Sequence, residues 1–298
     1  MGERWVLVLI LIALGAGWGI TQPLAKIAVS DGYQPLGLIV WQMVIGVIVL
    51  GAVLAGTGRR WPRGTRAWVF CLIIALTGTV IPNSTSFKAA AHLPSGVMSI
   101  LLSVIPMLAF PIALLLGVDR FGWLRLAGLG AGLFGVLILV APGASLPDPA
   151  MIAFVPLGLI APLFYALEGN IVARWGTGGL DPIELLFGAS VLGVVIAVPL
   201  ALATGQWITP TLPFSGPDKA LILSSLIHAV VYTGYVWMVG RAGAVFAVQV
   251  SYLVTGFGIL WAMILLDETY STGIWLALGL IVAGMLLVQP RPKAALAP

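Results

Sequence analysis

The sequence predicts an all-α integral membrane protein with ten transmembrane helices, arranged as two inverted repeats of five helices. Three observations predict this fold: the composition, the number of apolar runs and an internal repeat. Of the 298 residues, 60% are hydrophobic and 8% are charged, whereas a soluble globular chain carries about 25% charged residues. The composition is that of a membrane protein, in which a formal charge of +4 reports topology rather than a nucleic-acid partner.

Charged and Pro/Gly-rich segments divide the chain into ten apolar runs. A helix of roughly 17 to 25 mostly apolar residues is needed to cross a bilayer, and each run has about this length. The first five are Trp5–Ala28, Pro35–Ala55, Ala67–Lys88, Pro94–Leu116 and Gly122–Val140. The second five are Met151–Ala173, Asp181–Ala203, Asp218–Val239, Ala244–Leu266 and Ser271–Gln289. The connections are short, so no soluble domain is expected between them.

The positions of lysine and arginine predict the orientation, because cytoplasmic loops are enriched in these residues. With the N-terminus inside and the sides alternating, all but three of the 14 Lys and Arg residues fall on the inside. The three on the outside are Lys26, Lys88 and Lys219. Removing one helix would put later basic loops on the wrong side. The pattern therefore predicts the helix count together with cytoplasmic N- and C-termini.

The glycines Gly130, Gly132 and Gly135 have the spacing of a dinucleotide-binding turn. Such a turn follows a β-strand and opens a helix, whereas these glycines lie in the middle of the fifth run. In lipid, small residues let helix backbones approach closely. We interpret them as a packing face, either within the chain or between two copies of it, and expect no cofactor.

An internal repeat divides the chain into residues 1–145 and 146–298. At an offset of half the chain, the matches are Leu129 with Leu278, Gly130 with Gly279, Gly135 with Gly284, Leu137 with Leu286, and acidic Asp119 with Glu268. Because five is an odd number, the second repeat must cross the membrane in the opposite sense. Many secondary transporters have this arrangement, with a substrate site near the midplane between the halves.

Each half contains an acidic residue between its fourth and fifth runs followed by a Gly-rich run, in the stretches "LLLGVDRFGWLRLAGLGAGLFGVLILVAP" and "MILLDETYSTGIWLALGLIVAGMLLVQP". With these stretches the chain resembles the EamA-type branch of the drug/metabolite transporter superfamily over essentially its whole length. The family's Leu-Gly-Glu before the last helix of each repeat is represented here by Leu116-Gly117-Val118-Asp119 and by Leu266-Asp267-Glu268. The resemblance implies a carrier of small metabolites, often amino acids or their analogues, that works by alternating access in the cytoplasmic membrane of a prokaryote.

Polar residues within the runs predict a substrate cavity, since polar groups in lipid usually face the bundle interior or a wet space. Two stripes occupy matching positions in the two repeats, each on one helix face. The stripe in the third run consists of Thr79, Asn83 and Ser86, and the stripe in the eighth run of His228, Tyr232 and Tyr235. The other candidates are Trp18, Gln22, Ser103, Tyr165, Gln249 and Tyr252. The alternative is that these groups bond to one another and only lock the bundle.

Glu168 and His228 are the titratable residues expected at membrane depth, and either could accept a proton during transport. In the alternative, Glu168 pairs with Arg174 or Asn170, and His228 is a neutral hydrogen-bonding partner. Two histidines and one cysteine do not suggest a metal site, and we find no catalytic arrangement of a nucleophile with a base. We interpret Asp267-Glu268 as a solvated helix cap.

The leading hypothesis is a secondary transporter in the inner membrane that exports an amino acid or an analogue, with the lipid bilayer and a small molecule as its partners. The alternative within the same architecture is a vitamin or a nucleoside, such as riboflavin. A membrane-embedded enzyme or a channel is the alternative of another class. The residues leave the direction of transport, the coupling ion and the choice between monomer and homodimer open.

Overall fold

The architecture comes from a computed structural model, which describes residues 2–141, 146–210, 212–242 and 249–288. Within these residues the secondary structure is helical, with no strand. We label the helices α1 Gly2–Ser30, α2 Pro35–Thr57, α3 Thr65–His92, α4 Ser95–Leu115, α5 Trp123–Val140, α6 Pro149–Trp175, α7 Pro182–Ala203, α8 Gly216–Ala242, α9 Val250–Leu266 and α10 Thr272–Leu287.

The helices overlap the predicted apolar runs, and their ends mostly agree within a few residues. The predicted beginning of the ninth run at Ala244, Gln289 at the end of the tenth and the basic residues Arg291 and Lys293 lie outside the described residues. Of the described helices, α1 to α7 are long and apolar enough to cross a membrane, and α9 and α10 are shorter apolar helices. Many large apolar side chains are exposed on the outer faces, including Leu137 of α5 and Val195 of α7. Such a surface is compatible with lipid rather than water.

Three helices contain irregular segments. A π-helical turn, Ala75–Val80, interrupts α3, and turns of this kind often occur at functional sites. The α-helical hydrogen bonding of α4 breaks between Leu102 and Ile105, because Pro106 has no N–H to donate. A 3₁₀ turn, Pro149–Phe154, opens α6.

The helices pack in matching pairs across the two halves. Helix α1 packs against α8 and α9, and its counterpart α6 packs against α3 and α4. Helix α2 packs against α7, and α5 packs against α10. Replacing each helix by its counterpart in the other half therefore reproduces the main contacts.

The glycine-rich face of α5 packs against α10 within the chain. A Cβ atom at Gly128 would lie 2.7 Å from the carbonyl oxygen of Gly284, and one at Gly135 would lie 2.7 Å from Cγ1 of Ile281. Gly132 faces Met107, whereas a Cβ at Gly130 would meet nothing within 4 Å. These glycines are a packing surface in the middle of a helix and have none of the geometry of a dinucleotide-binding turn.

An ion pair joins the turn after α2 to the beginning of α7. Nε of Arg59 lies 3.3 Å from Oδ2 of Asp181, and the backbone N–H of Arg60 donates to Glu184 at 3.1 Å. Asp181 and Glu184 also form a capping box at the beginning of α7, which satisfies backbone donors that a helix leaves unpaired. The turn after α2 and the turn before α7 thus lie on one side of the molecule.

Candidate functional site

A chain of side-chain hydrogen bonds links α2, α3 and α6. Nδ2 of Asn83 donates to Oε1 of Gln42 at 2.9 Å, and the Tyr165 hydroxyl donates to Oδ1 of Asn83 at 2.9 Å. Gln42 is not among the residues predicted from the sequence, although it is a polar residue in the middle of the second apolar run. Polar groups in a membrane helix are costly unless they are paired, so a glutamine surrounded by apolar residues was the sequence signal that could have identified Gln42.

Four aromatic rings from α1 and α8 form what we call the aromatic cluster: Trp18, His228, Tyr232 and Tyr235. The Trp18 ring lies 5.4 Å from the Tyr235 ring, 6.1 Å from His228 and 6.3 Å from Tyr232, measured between centroids. Nε1 of Trp18 donates to Nδ1 of His228 at 3.2 Å. An indole N–H can only donate, so Nδ1 of His228 is unprotonated in this arrangement.

Glu168 interacts with one residue of the hydrogen-bonded chain and with one residue of the aromatic cluster. Its carboxylate packs against the π-helical turn of α3, where a Cβ on Gly78 would lie 2.6 Å from Oε2 and 2.8 Å from Oε1. It is near enough to Tyr165 and Tyr232 to interact with both electrostatically. We call Gln42, Asn83, Tyr165 and Glu168 the central polar cluster.

The partners suggested for Glu168 from the sequence bind elsewhere. Nδ2 of Asn170 donates to the carbonyl oxygens of Ala109 and Ala166, and the guanidinium of Arg174 lies over the Trp175 ring. Within the described residues the Glu168 carboxylate has no hydrogen bond and no ion pair. A carboxylate in this state is a candidate for binding a proton or a cationic group.

Other predicted cavity residues are not brought into these clusters. Ser103 is buried and donates to the carbonyl of Ile100 in its own helix at 2.6 Å. Gln249 is exposed at the beginning of α9, and Tyr252 packs against the main hydrophobic core. Gln22, Thr79 and Ser86 are partly buried. Ser103 and Tyr252 are predicted candidates because they are polar and occupy matching positions in the two repeats, and this does not tell which face of α4 or α9 meets the other helices.

A cavity of about 320 Å³ lies between α4, α5 and α6. Its polar lining includes Asp119, Arg125, Tyr165 and Asn170. Arg125 is 5% exposed, forms an ion pair with Asp119 and lies over the Phe110 ring at 5.6 Å. In the sequence we counted Arg125 only among the basic residues on the inside, near the beginning of the fifth run; the structure buries it in the wall of what we call the Arg125 cavity.

The turn between α9 and α10 is bonded to the beginning of α4. Oε1 of Glu268 accepts from the backbone N–H of Ser95 at 2.7 Å, and Oε2 accepts from Gly96 at 3.1 Å and from the Tyr270 hydroxyl at 2.6 Å. Burial, and then the hydrogen bond to Glu268, raise the pKa of Tyr270, which keeps this hydroxyl a donor. Glu268 therefore caps α4 from another helix pair and is partly buried, whereas Asp267, the other residue of the predicted solvated cap, is exposed.

Lys26 adds a second connection at this end of the molecule. Its Nζ donates to the carbonyl oxygens of Ala91 at 3.2 Å and Leu93 at 3.0 Å, at the end of α3. The ammonium group satisfies carbonyls that the helix leaves unpaired.

A second cavity of about 330 Å³ lies between α2, α8 and the segment before α8. Its walls are almost entirely apolar, and Asp218 in the lining accepts hydrogen bonds from Tyr33 and Ser215. We assign no polar substrate to it. Across the residues that the structure describes, no group of three His, Cys, Asp or Glu could hold a metal ion.

Residues 4–141 and 153–289 each match the EamA-like transporter family. The chain belongs to this family. It is accordingly a multi-pass transporter of the inner membrane rather than an enzyme. It lies in the lipid bilayer and acts on a small-molecule substrate.

Curated relatives of this EamA-like transporter span nearly the whole chain. A protein of Streptantibioticus cattleyicolor named as a probable terminal-alkyne amino-acid exporter is 22% identical over 288 residues, covering 96% of this chain and 93% of its own. The Escherichia coli K12 protein named as the uncharacterized inner membrane transporter YedA is 24% identical over 284 residues, covering 93% of this chain and 89% of its own. A protein crystal structure at 19% identity shares the fold, with a TM-score of 0.62 and 96% of each chain covered.

Proposed function

We propose that this EamA-like transporter is a secondary carrier that exports a small amphipathic metabolite, an amino acid or an analogue, by alternating access. The observation that carries the proposal is the meeting of the central polar cluster and the aromatic cluster, which draw residues from both halves of the chain. Apolar ring faces suit a hydrophobic side chain, while Asn83 and Glu168 offer hydrogen bonds and a negative charge to a polar head group. The name of the Streptantibioticus relative supports an amino acid.

The proposed frame is ten transmembrane helices in two inverted repeats, residues 1–145 and 146–298, with both termini cytoplasmic. The exchangeable packing of α1 and α6 with their neighbours supports the repeat. The pairing of Arg59 with Asp181 supports the alternation of sides. In this frame the Arg125 cavity lies towards the cytoplasm and the Glu268 turn lies on the outer side. We propose that this conformation is open towards the cytoplasm at the Arg125 cavity and closed on the outer side at the Glu268 turn.

Proton coupling through Glu168 or His228 is part of the proposal. Glu168 faces Tyr165 and Tyr232 without a described partner, so a proton or a substrate ammonium group would compensate its charge. Protonation of Nδ1 of His228 would remove the acceptor of the Trp18 hydrogen bond. Protonation of His228 would change the contact between α1 and α8, and protonation of Glu168 would change the packing of α6 against the π-helical turn of α3; each of these contacts joins the two halves.

Counterflow in proteoliposomes tests the proposal. Vesicles are preloaded in turn with amino acids, nucleosides and riboflavin, and wild type is compared with Asn83→Ala and His228→Ala. Leu137→Ala, on the exposed face of α5, is the matched control. We expect accumulation with amino acids that both site variants lose and the control retains.

Other outcomes separate the alternatives. Counterflow with riboflavin or nucleosides alone would replace the amino acid as substrate but keep the carrier. Passage of solute that neither saturates nor shows counterflow would identify a channel. Unchanged counterflow in both site variants would move the substrate site away from these clusters. For coupling, transport that depends equally on a pH gradient in wild type, Glu168→Gln and His228→Asn would exclude both residues.

A further inference from the structure

The Arg125 cavity contains a feature that transport through the central polar cluster does not use. Arg125 and Asp119 form a buried ion pair, with 6% and 17% of their side chains exposed. Taking two charges out of water costs several kcal/mol per ion, and apolar residues often stabilise such a position better. The chain nevertheless places both charges in the wall of a cavity.

The other half of the chain lacks this pair. At the offset that aligns the halves, Asp119 corresponds to Glu268 and Arg125 corresponds to Ile274. Ile274 is 2% exposed and belongs to the hydrophobic core, so the position can be filled by an apolar side chain. The packing of the last helix of a half therefore does not require an arginine.

The cavity has the size and the walls of a site for a small molecule with an apolar part. Its volume of about 320 Å³ is at the lower end of the range for ligand sites, roughly 300 to 1,000 Å³. Apolar residues of α4, among them Ile105, Pro106 and Phe110, form one wall. Tyr165 also lines the cavity, and its hydroxyl binds Asn83, so the cavity adjoins the central polar cluster.

We propose that the Arg125 cavity is a second binding site that takes amino acids as zwitterions. Arg125 binds the carboxylate of the ligand, Asp119 binds its ammonium group, and the wall of α4 receives its apolar side chain. A guanidinium matches the geometry of a carboxylate. The inference rests on the proposed transport function and adds a site on the cytoplasmic side of the central polar cluster.

Charge balance makes the site selective. A zwitterion brings one charge of each sign, so both residues keep a partner. The ammonium group of a ligand that lacks a carboxylate competes with Arg125 for Asp119. The carboxylate of a ligand that lacks an ammonium group competes with Asp119 for Arg125 and leaves Asp119 without a counter-charge. Leaving one charge of a buried pair unmatched is strongly unfavourable. A neutral vitamin or nucleoside gains nothing from either residue.

The test compares ligands and variants in two assays. Leucine, methionine and phenylalanine are each compared with their amide, which lacks the carboxylate, and with their N-acetyl derivative, which lacks the ammonium group. Equilibrium binding to the detergent-purified chain and counterflow in proteoliposomes are both measured. We expect both derivatives to lose about 30-fold or more in affinity on wild type, the size of effect seen when one partner of a buried charge pair is removed.

The variant arm uses Asp119→Asn with Arg125→Gln, which removes both charges and leaves neither one unpaired. Its matched control is Arg59→Gln with Asp181→Asn, an ion pair that does not line the cavity. We expect the preference for zwitterions to fall about tenfold or more in the first double variant and to persist in the control. Arg125→Lys keeps the charge, so it should weaken zwitterion binding while retaining the order of the ligands, and it replaces the double variant if that protein does not fold.

The assays separate the inference from the function on which it rests. Counterflow without a preference for zwitterions, or a preference that survives removal of both charges, overturns the site and leaves the carrier intact. Selective binding without counterflow supports the site and overturns the carrier. If none of the three amino acids binds, the site proposal fails.

Discussion

The acidic turns before the last helix of each half, at Asp119 and at Glu268, hold different partners. Glu268 places its oxygens on the backbone N–H groups of Ser95 and Gly96 and on the Tyr270 hydroxyl, which joins the turn to the beginning of α4. Asp119 pairs with Arg125 in the wall of a cavity. Of these corresponding acidic residues, Glu268 thus joins one helix pair to another, whereas Asp119 belongs to a buried ion pair. The role of each carboxylate depends on the groups that it binds rather than on its position in the repeat.

The largest expected effect comes from breaking the Arg125 pair on one side. Asp119→Ala leaves the buried guanidinium without its carboxylate, and we expect the free energy of unfolding to fall by about 3 to 5 kcal/mol. Thermal unfolding in detergent measures this effect. Arg59→Gln is the control, because its pair with Asp181 is about one-third exposed and such pairs contribute about 0 to 1 kcal/mol. Equal losses in the two variants would show that the Arg125 pair is no more than a surface ion pair.

An intermediate effect is expected at the Glu268 turn. Glu268→Gln keeps one acceptor oxygen but loses the charge, and hydrogen bonds to a charged group contribute about 1.5 to 3 kcal/mol; we expect a loss of roughly 1 to 2 kcal/mol. The contact between the Glu268 turn and the beginning of α4 should also loosen. Ser99 lies one turn into α4 and is 1% exposed. A cysteine introduced there as Ser99→Cys, in a Cys71→Ala background, therefore becomes accessible to a thiol reagent when the contact between the turn and α4 loosens.

Reaction of that cysteine with a membrane-impermeant thiol reagent measures access to the beginning of α4. We expect the rate to rise about tenfold in Glu268→Gln, since a loss of roughly 1.4 kcal/mol corresponds to that factor in an opening equilibrium. Asp119→Asn should leave the rate unchanged, because Asp119 does not contact α4 at Ser95. An equal change of the labelling rate in both variants would contradict the inference that only the Glu268 turn restricts access to the beginning of α4.

The smallest effect concerns Tyr270 and alkaline pH. Its pKa is raised in the folded chain, so the folded state holds this proton more tightly than the unfolded state does. The stability from this group is complete below the ordinary tyrosine pKa of about 10 and is lost as the pH rises above it. We expect Tyr270→Phe to lose less stability than wild type between about pH 10 and 11. Unfolding temperatures across that interval test it, and parallel curves for the two proteins would contradict it.

The sequence predicts the helices well because the signals that define them are local. Charged turns and Pro/Gly-rich segments end the apolar runs, and the ends of α2, α5 and α7 agree with the prediction to within two residues. The pairing of Trp18 with His228 and of Asn83 with Tyr165 combines predicted candidates, since polar and aromatic residues in lipid favour the bundle interior.

The sequence fails where the answer depends on which helices meet. In the sequence Arg125 counts only as a basic residue on the inside, near the beginning of a run, and only the position of Asp119 and Phe110 shows that it is buried. Gln42 needs Asn83 from another helix to become part of a cluster. Ser103 is a predicted cavity residue, but its hydroxyl bonds to its own helix. Periodicity gives the face of a helix and not the neighbour of that face.

The two family matches within one polypeptide have a consequence for the two acidic turns. In a pair of identical subunits, every mutation at the position of Arg125 would change both copies at once. Here Arg125 in α5 and Ile274 in α10 are encoded separately, so selection can act on one without altering the other. A single gene that holds both halves can therefore evolve a charged wall in one half while the corresponding residue in the other half stays apolar.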